Sequence, residues 1–176
     1  EAAFNKYPDS LNVIANLVDI YIKGNQIEQG LETINKSIEK FPERGELLYW
    51  KGRLLLNSDH EDKIDEALEV YDKAVKLNSD LFYVYYDIGL IKFLQGQDIF
   101  SQAGLEKDMK RREQINKIAT EKYEEAIPNV QKALDMSGDN ITIKSESLDI
   151  LKRIYYKLYG PEDQRYKDVV SQIDNL

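Results

Sequence analysis

His60 is the single histidine of the chain and stands in the acidic run Asp59-His60-Glu61-Asp62. Imidazole and carboxylates can ligate metals, but one histidine in a polar turn has no second ligand at a defined spacing. The run also departs from the Ca²⁺-loop pattern. It reads as a solvated turn, and no metal is expected. With no cysteine in 176 residues, thiolate zinc sites, disulfides, Cys nucleophiles and any Ser-His-Asp triad not built on His60 are excluded. Asp19 and Asp87 could supply a carboxylate pair, yet no base, nucleophile and orienting group accompany them. The chain is therefore expected to have no catalytic residues and no cofactor.

Two further groups could bind rather than react. Lys110-Arg111-Arg112 could hold a phosphate, but acids at Glu106, Asp108, Glu113 and Glu121 are interleaved with the nearby cations, which is the pattern of an exposed helix laced with ion pairs. The net charge of −8 disfavours nucleic acid as a partner. No apolar run approaches the roughly 20 residues that span a bilayer, so no membrane insertion is expected in this segment. The chain opens on Glu1 and is expected to lack its native start, which leaves its cellular address unread. The second group is Trp50, Arg53 and Tyr86, residue types that often anchor a partner.

The elements that carry these residues are repeated. Ala3 to Pro8 recurs as Ser37 to Pro42, with the prolines 34 residues apart, and looser echoes run from Ala74 to Ser79 and from Ala133 to Gly138. Seven residues before each later echo stands another small residue: Gly30 before Ser37, Ala67 before Ala74, Ala126 before Ala133. Small residues two turns apart let another helix approach closely. Upstream lies a second helical pattern, Ile14-Leu17-Val18-Tyr21, then Leu48-Gly52-Leu55, then Tyr85-Ile88-Gly89, at three- and four-residue steps. Gly24-Asn25 and Gly96-Gln97 are read as the turns that end first helices, while Pro8 and Pro42 stop second helices. Tyr21, Tyr71, Tyr85, Tyr123 and Tyr155 fall on core steps. No segment reads as a strand.

On these residues the chain resembles the tetratricopeptide repeat family, whose units are helix–turn–helix modules of roughly 34 residues. Gly52 and Gly89 stand at the family's first-helix small position, Tyr21 at an aromatic one, and Ala67/Tyr71/Ala74 and Ala126/Val130/Ala133 follow its second helix. The resemblance implies an all-α, right-handed α-solenoid of antiparallel helix pairs, in a single domain over 1–176. Full repeats are expected at 11–44, 45–81 and 82–140, after the second half of another at 1–10. A degenerate pair at 141–176, keeping Leu148, Leu151, Tyr155, Val169 and Ile173, would cap the stack.

Spacing locates an insert. Val18 to Gly30 spans 12 residues and Gly52 to Ala67 spans 15, but Gly89 to Ala126 spans 37, an excess of 25 that falls at about 98–122. We expect a lengthened helical hairpin that buries Ile99, Phe100, Leu105, Met109, Ile115 and Ile118 between its own arms or by self-association. Pro128 falls inside the following second helix, where it should kink the backbone.

The resemblance also implies that first helices line a concave face, so the side opposite each core stripe would meet a ligand. Those residues are Asn12, Asn16, Asp19 and Lys23 in the first repeat, Glu46, Tyr49, Trp50, Arg53 and Asn57 in the second, and Tyr83, Tyr86, Asp87, Leu90 and Phe93 in the third. Family members that grip the carboxylate of chaperone tails use Lys, Asn and Arg there. Ala15, Asp19, Trp50, Tyr83 and Asp87 do not match, which excludes that activity. The expected function is a non-catalytic scaffold that binds a protein or peptide segment, apolar or aromatic with some positive charge. A structural role through self-association of the 98–122 insert or of a solenoid end is the alternative.

Overall fold

Apolar residues at three- and four-residue steps bury one stripe of each segment, and the described residues are accordingly helical, with no strand among them. The structure is a computed structural model that describes residues 10–58 and 63–176. The expected helix at 1–8 and the acidic turn around His60 lie outside the described residues. The chain divides into two compact units, Glu1–Leu81 and Phe82–Leu176.

The first unit holds α1 (Leu11–Lys23), α2 (Ile27–Lys40), α3 (Gly45–Leu56) and α4 (Lys63–Leu77). Helices α1 and α2 pack as one pair, α3 and α4 as the next, and α3 stacks on both α1 and α2. One core gathers Ile14, Leu17, Val18, Tyr21, Ile27, Ile34, Leu47 and Leu54. Small residues set the approach of the helices: a Cβ at Gly30 would lie 2.7 Å from Leu54 Cδ2, and one at Gly52 would lie 2.2 Å from the Tyr71 ring. Helix α1 ends at Lys23 and the chain turns at Gly24-Asn25, as the pattern predicts. Gly24 has φ −85°, and it is Asn25, at φ 52°, that takes the left-handed conformation. Asn25 N donates to Ile22 O and Gln26 N to Tyr21 O, at 3.1 and 2.8 Å. These bonds close the end of α1 as a Schellman motif, in which Asn is the usual substitute for Gly. Helix α2 stops at Lys40, two residues before Pro42.

The second unit holds α5 (Phe82–Leu105), α6 (Met109–Met136), α7 (Ile141–Tyr159) and α8 (Gln164–Asp174). Its core includes Phe93, Tyr123, Ala126, Val130, Leu148, Leu151, Ile154 and Val169. Residues 98–122 lengthen both helices of one pair, with a turn only at 106–108. Gly96-Gln97 is therefore not a turn, a correction to the sequence reading. Gly96 is buried inside α5, where a Cβ would lie 2.8 Å from Tyr123 Cδ1 and 3.3 Å from Ala119 O, so its smallness serves close helix packing. The side chain of Asp108 accepts from Arg111 N at 2.9 Å and caps α6, satisfying a first-turn amide.

Of the insert's apolar residues, Ile99, Phe100 and Ile115 are half-buried, and the other three are not covered by the arms. Ala103 and Ala119 are buried, whereas Leu105 is 85% exposed, Met109 73% and Ile118 47%. The buried alanines lie one on each arm, and Leu105 and Met109 flank the turn between the arms. Pro128 sits on the exposed side of α6, which runs on through it to Met136. Tyr21, Tyr71, Tyr85, Tyr123 and Tyr155 are all buried, as their core spacing predicts. Ordered by Gly160 at φ 82° and by Pro161, the chain leaves α7 and enters α8, whose cap is Asp163 accepting from Arg165 N.

Candidate functional site

In the first unit α1 and α3 present their polar sides together. Arg53 Nη1 lies 3.5 Å from Asp19 Oδ1, and the Arg53 guanidinium stands 5.5 Å from the Trp50 ring centroid. Arg53 is thus held between a carboxylate and an indole, a planar cation over the negative face of a ring. Trp50 is half-buried against the α1–α3 core. Asn57 Nδ2 donates to Arg53 O at 2.8 Å and finishes α3, and Asn12, Asn16 and Lys23 are exposed on α1. Glu46 Oε1 accepts from Asn78 Nδ2 at 2.9 Å. Tyr49 does not belong with these. It is 9% exposed, and its ring stacks on Tyr71 with centroids 6.0 Å apart, so it is a core side chain. Tyr49 stands about 100° around the helix from Trp50, enough to carry it off the polar side.

In the second unit α5 carries Tyr83, Tyr86, Asp87 and Leu90, all half-buried. Burial pushes the Tyr86 phenol well above its usual range, helped by a hydrogen bond to Glu146 of α7 and by the nearby charge of Asp87. A neutral phenol donates to that carboxylate, so Tyr86 ties α5 to α7. Phe93 is 2% exposed and packs on Tyr123 with ring centroids 6.0 Å apart. Its place among partner-binding residues is corrected: it belongs to the core.

A further feature of this unit escaped the sequence reading. A cavity of about 600 Å³ opens between α5, α6, α7 and α8. Phe93, Phe100 and Tyr123 line its apolar side, and Lys152, Arg153 and Lys157 its charged side. Tyr156 and Tyr166 complete the wall, with ring centroids 5.6 Å apart. Two of the cations lie over rings: Arg153 Cζ is 4.7 Å from the Phe93 centroid, and Lys157 Nζ is 3.2 Å from that of Phe100. Asp149 pairs with Lys152 at 3.1 Å and with Arg153 at 3.8 Å. Tyr123 is raised by burial, against the opposing charge of Arg153. The signal was present in the sequence as Lys152, Arg153, Tyr156 and Lys157, two adjacent pairs one helical turn apart. Reading 141–176 as a cap hid it.

Among the described residues no group of three or more His, Cys, Asp or Glu is placed to hold a metal ion, and no helix is long and apolar enough to cross a membrane. Lys110, Arg111 and Arg112 are exposed at the start of α6.

A family model described as TPR repeat matches residues 61–96, which cover α4 and the first part of α5. No curated protein matches the chain. Among solved structures, "MamA RS-1 ArsTM double mutant" is similar at 19% identity over 95% of this chain and 96% of that one, with a TM-score of 0.42.

Proposed function

Because the chain carries a tetratricopeptide repeat in residues 61–96, we propose that it is a non-catalytic protein-interaction scaffold whose first helices hold a protein or peptide segment. The observation that carries this reading is the arrangement on α1 and α3: a half-buried indole beside a guanidinium that already pairs with a carboxylate. Indole and guanidinium supply large contact area and directional hydrogen bonds, the usual make-up of a binding hot spot. Asp19 and Glu46 beside them favour a segment with apolar or aromatic side chains and some positive charge. Tyr83, Tyr86 and Asp87 give α5 of the second unit a face of similar composition.

Affinity capture from the native host, with wild type beside Trp50→Ala and Tyr86→Ala variants, tests the reading. One specific partner should be lost with Trp50→Ala, at a cost of roughly 2 kcal/mol or more, about thirtyfold in affinity. Truncating Arg111 and Arg112 should leave capture unchanged, and the reverse order would move the site to the insert. A second reading has its own support. Leu105 and Met109, exposed at the tip of the α5–α6 pair, favour self-association through residues 98–122, which concentration-dependent sedimentation would detect.

A further inference from the structure

We propose that the cavity of the second unit is a binding site for an acidic peptide segment, which it holds by one aromatic or long aliphatic side chain and by flanking carboxylates. The proposal goes beyond the first-helix reading and does not rest on it, since neither Trp50 nor Tyr86 lines the cavity.

Charge complementarity selects the occupant. Three cations and no carboxylate line the cavity, in a chain whose net charge is −8. Asp149 serves Lys152 and Arg153 together, so one carboxylate is shared by two cations. Lys157 pairs with no carboxylate among the described residues and lies over Phe100 instead. A ring face is a weaker partner for an ammonium than a carboxylate is, because its quadrupole offers a diffuse negative potential in place of a full charge. An incoming Glu or Asp therefore gains a partner that is not already committed. Drawing Lys157 off Phe100 also bares the ring, so the carboxylate contact and the apolar contact support each other. A basic segment would meet three like charges, which disfavours it.

Shape argues for a peptide over a small ion. The lining on α5 runs from Phe93 to Ser101, about 12 Å along a helix. That length matches three or four residues of extended chain at about 3.3 Å each. The volume of about 600 Å³ lies within the range of pockets that enclose a ligand with a large apolar side chain. Phosphate alone would use the cations and leave the accessible rings of Phe100 and Tyr156 without an occupant.

Fluorescence anisotropy on the full chain tests the proposal, with a dye-labelled short peptide that carries one central Phe flanked by Glu and Asp. Matched peptides replace the acids by Lys or the Phe by Ala. The acidic Phe peptide should bind at least about tenfold more tightly than either. Lys152→Ala with Lys157→Ala should weaken it by a similar factor, while circular dichroism shows the helices intact, and Phe100→Ala should lower the gain contributed by the Phe. Trp50→Ala should leave this binding unchanged, which separates its fate from that of the first-helix reading. Absence of binding, equal binding of the Lys peptide, no response to the double Lys variant, or full competition by inorganic phosphate at matched ionic strength would each overturn the proposal.

Discussion

Arg53 and Asp19 stand 34 residues apart in the sequence and 3.5 Å apart in the structure. The same interval separates Pro8 from Pro42. A period along the chain has become a contact in space, because α3 stacks on the preceding helix pair and brings equivalent first-helix positions side by side. Both side chains keep part of their surface in water, with 33% and 44% of it exposed. A double-mutant cycle with Asp19→Ala and Arg53→Met in urea unfolding should give a coupling of about 0.2–1 kcal/mol, smaller at high salt. A coupling several times larger would mean that the pair is sealed from solvent.

Two glycines predict opposite outcomes for one substitution. In Gly52→Ala the new methyl would lie 2.2 Å from the ring of Tyr71, which is 0% exposed, so the ring has no free space to move into. Urea denaturation should show a loss of about 1–3 kcal/mol. Gly104 lies in α5 with nothing within 4 Å of its would-be Cβ. There Ala should be neutral or add up to about 1 kcal/mol through helix propensity. Equal effects at the two sites would refute the packing at Gly52.

Alkaline pH should destabilise the second unit. An unperturbed tyrosine titrates near 10.0, and burial raises Tyr86, Tyr123 and Tyr155 above that. Above pH 10 the unfolded chain releases phenol protons that the folded chain retains. Unfolding then releases protons, and stability falls as pH rises toward the folded values. Thermal melts from neutral pH upward should show this decline, and Tyr86→Phe should make it less steep. A decline of unchanged slope in that variant would remove Tyr86 from the account.

Joining Gln97 to Tyr123 should leave a folded helical protein, since the excision restores the spacing of 12 seen between Val18 and Gly30. The new turn would use Gly96-Gln97 much as α1 ends at Gly24-Asn25. The excision also removes Phe100 and Ser101 from the cavity wall, so acidic-peptide binding should be lost while a cooperative melt remains. A chain without a cooperative melt would show that Ala103 and Ala119 are needed by the core.

The helices were legible because the chemistry of burial repeats: small residues at Gly30, Ala67 and Ala126 and rings at Tyr21, Tyr71 and Tyr123 mark the core by type as well as by period. The turn at Gly96 was misread because a glycine that ends a helix and one that admits a neighbouring ring look alike in sequence. Gly96 is told apart only by Tyr123, 27 residues away. Phe93 and Tyr49 were assigned to a binding face by helical spacing, but each lies near the border between stripes, where the neighbouring helix decides. One wall of the cavity was legible as Lys152, Arg153, Tyr156 and Lys157 on α7, but not the cavity itself, because its other walls come from three further helices.

The turn of three residues between α5 and α6 has a kinetic consequence. Two long helices joined so closely zip together through contacts near in sequence, beginning at a cap supplied by Asp108, and the chain entropy lost at each step is small. This pair should therefore be ordered early as the second unit folds. An Ala119→Gly substitution in its seam should slow refolding more than it speeds unfolding, whereas Val169→Ala, in α8 outside this pair, should act mainly on the unfolding rate.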